Sequence, residues 1–203
     1  MVRPPNSGPG TWDLGPGTSI NLRPGTSLVF RVAAVIAVVV GVATFMTRPL
    51  IARIVVIKSE RVLRLLDGSG AIVAEYPIIF GREGVGTKEV EGDRRTPEGE
   101  YLICVKNPQS KFHLSLGLNY PNASDGRRGF AAGLITAEQL GAIETAEREQ
   151  RRPPWDTPLG GEIFIHGHGE GRGGTAGCIA VSDADIEEIY ALVFTGTPIT
   201  IGP

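Results

Sequence analysis

From Val32 to Met46 the chain runs fifteen residues without a charge, bounded by Arg31 and Arg48, and that run decides how its 203 residues can be partitioned. A hydrocarbon core of roughly 30 Å takes about 20 helical residues. With Leu28-Val29-Phe30 added, and with Arg31 able to snorkel its charge toward headgroups, the run approaches that length. Residues 1–27 carry Pro4, Pro5, Pro9, Pro16 and Pro24 among glycines and serines, with no apolar period. Such a segment reads as a disordered tail. The expectation is therefore a tail over 1–27, a transmembrane signal anchor over 28–47 and one folded domain over 50–203. Two other readings compete for the apolar run. Gly41-Val42-Ala43 has the small-x-small form of a cleaved signal, although behind an unusually long leader, and a buried core helix sits poorly behind a Pro/Gly tail. Arg3, Arg23 and Arg31 precede the run and Arg48 and Arg53 follow it, so the charge bias that orients a span is slight.

Beyond Pro49 the pattern changes to short apolar runs. Ile51–Ile57 is β-branched, and Arg61–Leu66 and Ala71–Tyr76 flank Asp67-Gly68-Ser69-Gly70, an aspartate–glycine turn that predicts a hairpin. Ile78-Ile79-Phe80 and Tyr101–Val105 read as further strands, separated by the polar stretch Gly81–Gly99. Thr136-Ala137-Glu138-Gln139 has capping-box spacing and predicts a helix to about Arg151, stopped by Pro153-Pro154. Glu162–His166 reads as a short buried strand. Ser182 caps a second helix with Ile186, Ile189, Tyr190 and Val193 at helical spacing, and Pro198–Ile201 closes the chain as a strand. The fold class expected is mainly β with two helices, α+β. An apolar fraction of 41% supports a packed core, and 28 glycines with few aromatics favour a loop-rich β protein. A formal charge of -2 offers no basic field, so nucleic acid is not expected as a partner.

The chemistry concentrates near the C-terminus. Of two cysteines, Cys104 lies in the apolar run Tyr101–Val105 and reads as a small buried hydrophobe. Cys178 follows Gly173-Gly174-Thr175-Ala176-Gly177 and precedes a helix, a placement suited to a reactive thiol. His166 ends a strand twelve positions earlier, and the intervening Gly167–Gly177 holds six glycines. A loop of that kind builds no core but lets backbone N–H groups approach a ligand. A thiol that attacks a carbonyl needs a base and oxyanion donors, which His166 and the amides near Gly177 and Cys178 can supply. Two rival readings use the same residues. His166, His168 and Cys178 form an incomplete metal-ligand set, with no fourth ligand suggested by spacing; and a non-catalytic, membrane-tethered envelope-binding module needs none of this chemistry.

Ile165-His166-Gly167 with Thr175-Ala176-Gly177-Cys178-Ile179-Ala180 resembles the active-site motif of L,D-transpeptidases with the YkuD-type catalytic domain. Gly92-Asp93-Arg94-Arg95-Thr96-Pro97-Glu98-Gly99-Glu100-Tyr101 resembles that family's GDxxTPEGxY signature, and Asn107–Gly117 resembles a stretch of its YafK-like subgroup. The resemblance implies a β-sandwich-like domain with the cysteine on a loop in a cleft, and no metal or organic cofactor. By similarity, Cys178 is the nucleophile and His166 the proton donor and acceptor. The Gly167 carbonyl orients the imidazole, and Gly177 and Thr175 lie at the oxyanion and substrate site. The implied substrate is a peptidoglycan stem tetrapeptide. The acyl-enzyme passes to a second stem, to an envelope lipoprotein lysine or, in a hydrolase of the same site, to water. The implied place is the periplasmic face of the inner membrane, held by a single pass. Ala176 and Ala180 stand where the family's fuller motif has histidine and arginine or asparagine, so an expected substrate contact is missing. The interval between His166 and Cys178 is also shorter than in many members.

Overall fold

The structure, a computed structural model, describes residues 50–84, 86–169 and 173–203. The expected tail and anchor fall outside those residues. Among the described residues no helix is long and apolar enough to cross a membrane.

Eight strands follow one another in a hydrogen-bonded order β3-β2-β1-β8-β4-β5-β6-β7. The first three are β1 (Arg53–Ile57), β2 (Val62–Leu66) and β3 (Ile72–Pro77). They form an antiparallel meander in which Ile54, Val56, Leu63 and Leu65 are buried at alternate positions, the period of a half-buried strand. The Asp67 turn closes the second hairpin: its carboxylate accepts from the Ser69 hydroxyl and from the amides of Ser69 and Ala71, which together hold that acid below its ordinary range. β8 (Pro198–Gly202) lies parallel to β1 and antiparallel to β4 (Gly99–Ser110).

β4 is longer than the sequence suggested because it serves two neighbours. Its start, Gly99–Leu102, pairs with β8, while Ile103 onward pairs with β5 (His113–Leu118). Register shifts between Ile103 and Val105 and between Asn107 and Ser110 bend it, as bulges do. Two arms of the sheet thereby share one core, in which Ile54 and Leu63 of one arm join Leu116, Ile165 and Ile179 of the other. Burying each such side chain stabilises the fold by about 1.5–3 kcal/mol. β6 (Phe164–His166) pairs antiparallel with β5, and β7 (Ile179–Ala180) pairs parallel with β6. Ile79, expected within a strand, makes only an isolated bridge to Ala180, and Gly81 beyond it makes another to Thr175.

The described residues form three helices rather than the two expected: α1 (Ala123–Ala131), α2 (Ala137–Arg148) and α3 (Asp183–Leu192). α2 begins at the foreseen Thr136–Gln139 capping box and α3 at Ser182. The unforeseen α1 has its own capping box, Asn122 with Asp125. Gly126 and Gly129, which weaken its helical signal, are packing requirements. A Cβ on Gly126 would meet Leu140 at 3.0 Å, and one on Gly129 would meet Leu159 at 2.6 Å. α1 and α2 enclose a second small cluster of Ile135, Ile143 and Leu159.

Candidate active site

β6 and β7 place the two chemically interesting side chains together. Their parallel register sets Ile165 beside Ile179 and His166 beside Ala180. Cys178, one residue before β7, therefore sits beside Phe164. Side chains alternate across a strand, so Phe164, His166, Cys178 and Ala180 share one face. All four line a cavity of ≈ 890 Å³, with Ser115 of β5 and Asn107, Lys111 and Phe112 of the β4–β5 hairpin. Glu162, Ala176 and Cys178 also line a second cavity of ≈ 790 Å³, so the thiol stands where two hollows meet.

Two contacts hold the His166 ring. Its Nδ1 lies 2.6 Å from the Gly167 carbonyl oxygen. A carbonyl only accepts, so Nδ1 carries the proton and Nε2 keeps the free lone pair. Phe112 stacks on the ring with centroids 4.5 Å apart and planes inclined by 24°. Only 7% of the residue is exposed, and that burial pushes the imidazole below its usual range, with a smaller push from His168. The contact to Gly167 works the other way. A neutral ring at neutral pH is the form able to take a proton.

Cys178 is half-buried. Its Sγ donates to the Glu162 carbonyl oxygen at 3.4 Å. Desolvation raises the thiol above its ordinary value, the Phe164 amide draws it down, Glu162 raises it again, and Lys88 and Lys111 lower it. Both shifts favour the neutral forms, thiol and imidazole, over thiolate and imidazolium. Cys104 is free and half-buried rather than sealed, and desolvation pushes its thiol up to about 11.

The loop bearing Cys178 is braced from within. The Thr175 hydroxyl donates to the Cys178 carbonyl at 2.6 Å and accepts from the Gly177 amide at 3.1 Å. The two expected oxyanion residues are thus engaged with each other at rest. Gly177 has φ +134, and a Cβ there would meet the Arg95 carbonyl oxygen at 2.9 Å. Thr96 joins this loop to another. Its Oγ1 accepts from the Gly81 amide and donates to the Gly177 carbonyl, both at 2.8 Å, in a fully enclosed position. Thr96 lies in the Gly92–Tyr101 motif, but nothing in the sequence pointed to its contact with Gly177.

α3 pins the opposite rim. Asp183 accepts from the His168 amide at 2.7 Å and from its Nδ1 at 3.0 Å, and the amide contact is the main reason its carboxyl lies below the ordinary range. Glu187 meets His113 Nε2 at 2.7 Å. His168 is thereby turned toward Asp183, and among the described residues no group of three or more His, Cys, Asp or Glu side chains converges as metal ligands do. Gly167 fits tightly between these parts: a Cβ would collide with the Asp183 carboxylate and meet the Phe112 carbonyl oxygen at 2.9 Å. Phe112, Lys111 and Glu162 were not singled out as site residues from the sequence; Lys111 and Phe112 fall in a motif whose contribution becomes visible only once β5 pairs with β6.

The L,D-transpeptidase catalytic domain family, YkuD, matches residues 51–201. "Putative L,D-transpeptidase YafK" of Escherichia coli (strain K12) is 30% identical over 80 residues, covering 37% of this chain and 32% of that protein. The chain thus spans about a third of that relative. Among solved structures, the helical cell shape determining protein Pgp2 from Campylobacter jejuni superposes with a TM-score of 0.52 at 24% identity, over 74% of this chain and 47% of that one. Bd1075 of Bdellovibrio bacteriovorus gives a TM-score of 0.49 at 24% identity, over the same shares of each chain. The likeness to Pgp2 is one of fold.

Proposed function

The chain belongs to the L,D-transpeptidase catalytic domain family, and on that premise we propose that it is a cysteine acyltransferase acting on peptidoglycan stem peptides. The observation that carries the reading is that Cys178 and His166 open onto one cavity, with the imidazole tautomer fixed by Gly167. In the proposed reaction the thiol turns from Glu162 toward the substrate and passes its proton to Nε2. Sγ then bonds to the carbonyl carbon of the penultimate stem residue. The developing oxyanion takes a hydrogen bond from the Cys178 amide, joined by that of Gly177 when Thr175 releases it. The C–N bond breaks, His166 returns the proton to the departing amine, and a thioester remains.

The second cavity reaches the same thiol and supports transfer to an amine, from another stem or a lipoprotein lysine, over simple hydrolysis. Attack by that amine re-forms an amide and regenerates the thiol. In the cell, the Val32–Met46 run would serve as the single-pass anchor that holds the domain at the periplasmic face of the inner membrane, within reach of the wall that sets cell shape.

The test is intact-mass analysis of the protein with a stem tetrapeptide. The expected result is an adduct on Cys178 equal to the peptide less its terminal residue, absent in Cys178→Ser. Turnover retained in Cys178→Ala would overturn the reading.

A further inference from the structure

Charge is sparse in the cavity shared by Cys178 and His166. Among the described residues lining it, Lys111 carries the one ammonium and Glu162 the one carboxylate. The sheet register sets these two at opposite ends of β6. Glu162 lies two residues before its start, whereas Lys111 occupies the turn before β5, beyond the point where Ser115 pairs with His166. Along this face the order is therefore Glu162, then Cys178 beside Phe164, then His166, then the turn bearing Lys111. The Lys111 Nζ lies 5.1 Å from the centroid of the Phe112 ring, which itself covers His166. Among the described residues Lys111 forms no ion pair, and its charge is felt at the sulfur, where it opposes that of Glu162. Ala180, on the same wall, contributes only a methyl group.

We propose that Lys111 determines leaving-group specificity by holding the C-terminal carboxylate of a donor peptide whose last residue is expelled. The inference rests on the acyl transfer argued above and names the chemical class of its leaving group, a free α-amino acid carboxylate. With the attacked carbon at Cys178, the scissile nitrogen falls toward His166, which must protonate it. The carboxylate then lies one further residue along, a reach of at most about 3.6 Å, in the direction of the Lys111 turn. Glu162 at the other end repels a carboxylate, so the two charges together fix the direction in which the donor lies. In the balanced step the C–S bond forms, the C–N bond breaks, and the amine takes the proton from His166. The residue departs with its carboxylate unchanged, paired to Lys111 until release.

The test compares two donors on the full chain, a stem tetrapeptide with a free C-terminal carboxylate and the same peptide as its C-terminal amide, reading thioester formation on Cys178. The wild type should prefer the free acid by roughly 10- to 100-fold in kcat/KM, mostly through KM, the size of a charge-assisted hydrogen bond. Lys111→Met keeps an unbranched chain over Phe112 and should lose the preference, whereas Lys111→Arg should restore most of it. Alkylation of Cys178 by uncharged iodoacetamide should stay within about threefold in Lys111→Met, which shows that the thiol and its surroundings are intact. Equal use of both donors by the wild type, or an undiminished preference in Lys111→Met, overturns the inference while leaving the acyl transfer standing. Failure of both donors to acylate wild-type Cys178 overturns both.

Discussion

Phe112 lies flat against His166, its ring centroid 4.5 Å away, and it comes from a two-residue turn rather than from β6, which carries His166, or the loop that carries Cys178. The turn is fixed on both sides: the Phe112 carbonyl accepts from the Gly167 amide at 3.1 Å, and neighbouring His113 meets Glu187 of α3. The stacked ring both orients the imidazole and keeps water from one of its faces. Stacking of this kind is worth about 0.5–1.5 kcal/mol.

Phe112→Ala should accordingly slow thioester formation about 3- to 10-fold, and it should let the imidazole pKa rise toward its ordinary value as water reaches the ring. The acid limb of the pH–rate profile then moves to higher pH. A slower enzyme with an unmoved limb would show that Phe112 acts only on local stability.

The pH dependence of the wild type follows from the same burial. Protonated His166 cannot take the thiol proton, so activity falls as pH drops through the imidazole pKa. Since burial depresses that pKa, the midpoint should lie below the ordinary ~6.5. On the alkaline side, iodoacetamide labelling of the free enzyme should keep rising past pH 9, because desolvation raises the Cys178 thiol. A labelling plateau already reached at pH 7 would mean a preformed thiolate and contradict the resting state described here.

Thr96→Val removes the hydroxyl joining Gly81 to Gly177 while keeping the side-chain volume. It leaves an enclosed donor and an enclosed acceptor unpaired, at about 2–4 kcal/mol in total. For a domain of this size that lowers Tm by roughly 5–15 °C. Thermal unfolding measures the loss, and an unchanged Tm would show that the two loops do not depend on this hydroxyl.

Gly177→Ala combines a left-handed backbone position, φ +134, with a Cβ placed 2.9 Å from the Arg95 carbonyl oxygen. Strain of that kind costs about 1–3 kcal/mol before any clash is relieved. The expected outcome is a folded but less stable protein whose Cys178 acylates at least tenfold more slowly, read by Tm and intact mass together. Wild-type kinetics in this variant would remove Gly177 from the account of the oxyanion site.

Much of the fold was legible along the chain where one residue type dictates one local conformation. Asp67 marked its hairpin, Thr136 and Ser182 marked the starts of α2 and α3, and the β-branched apolar run Ile51–Ile57 marked β1. α1 was missed because Gly126 and Gly129 depress helical signal for a reason visible only in the packed pair of helices. Its Asn122–Asp125 capping box was nevertheless a readable cue. Ile78–Phe80 was read as a strand because it is apolar, yet its hydrogen bonds are split among Arg61, Ala180 of β7 and Thr175, which leaves isolated bridges instead of a ladder. At the site, the motif pointed to His166, Gly167 and Cys178; in the structure His166 and Cys178 line one cavity, and the Gly167 carbonyl lies against Nδ1 of His166. The motif gave no sign of Lys111, Phe112, Thr96 or Glu162, which arrive from segments 4 to 82 positions away from Cys178 or His166 and meet the pair only through sheet register and loop contacts.

The pairing of β6 with β7 also governs how such a chain can vary. Neighbouring parallel strands must be joined by a crossover of about a dozen residues or more, so the twelve-position interval from His166 to Cys178 sits near its floor. It has no ceiling of the same kind. The pairing of Ile165 with Ile179, not the glycine-rich connector, holds His166 and Cys178 in step. Whole insertions at Gly173 or Gly174 can therefore reshape the mouth of the cleft while leaving the reacting atoms where they are.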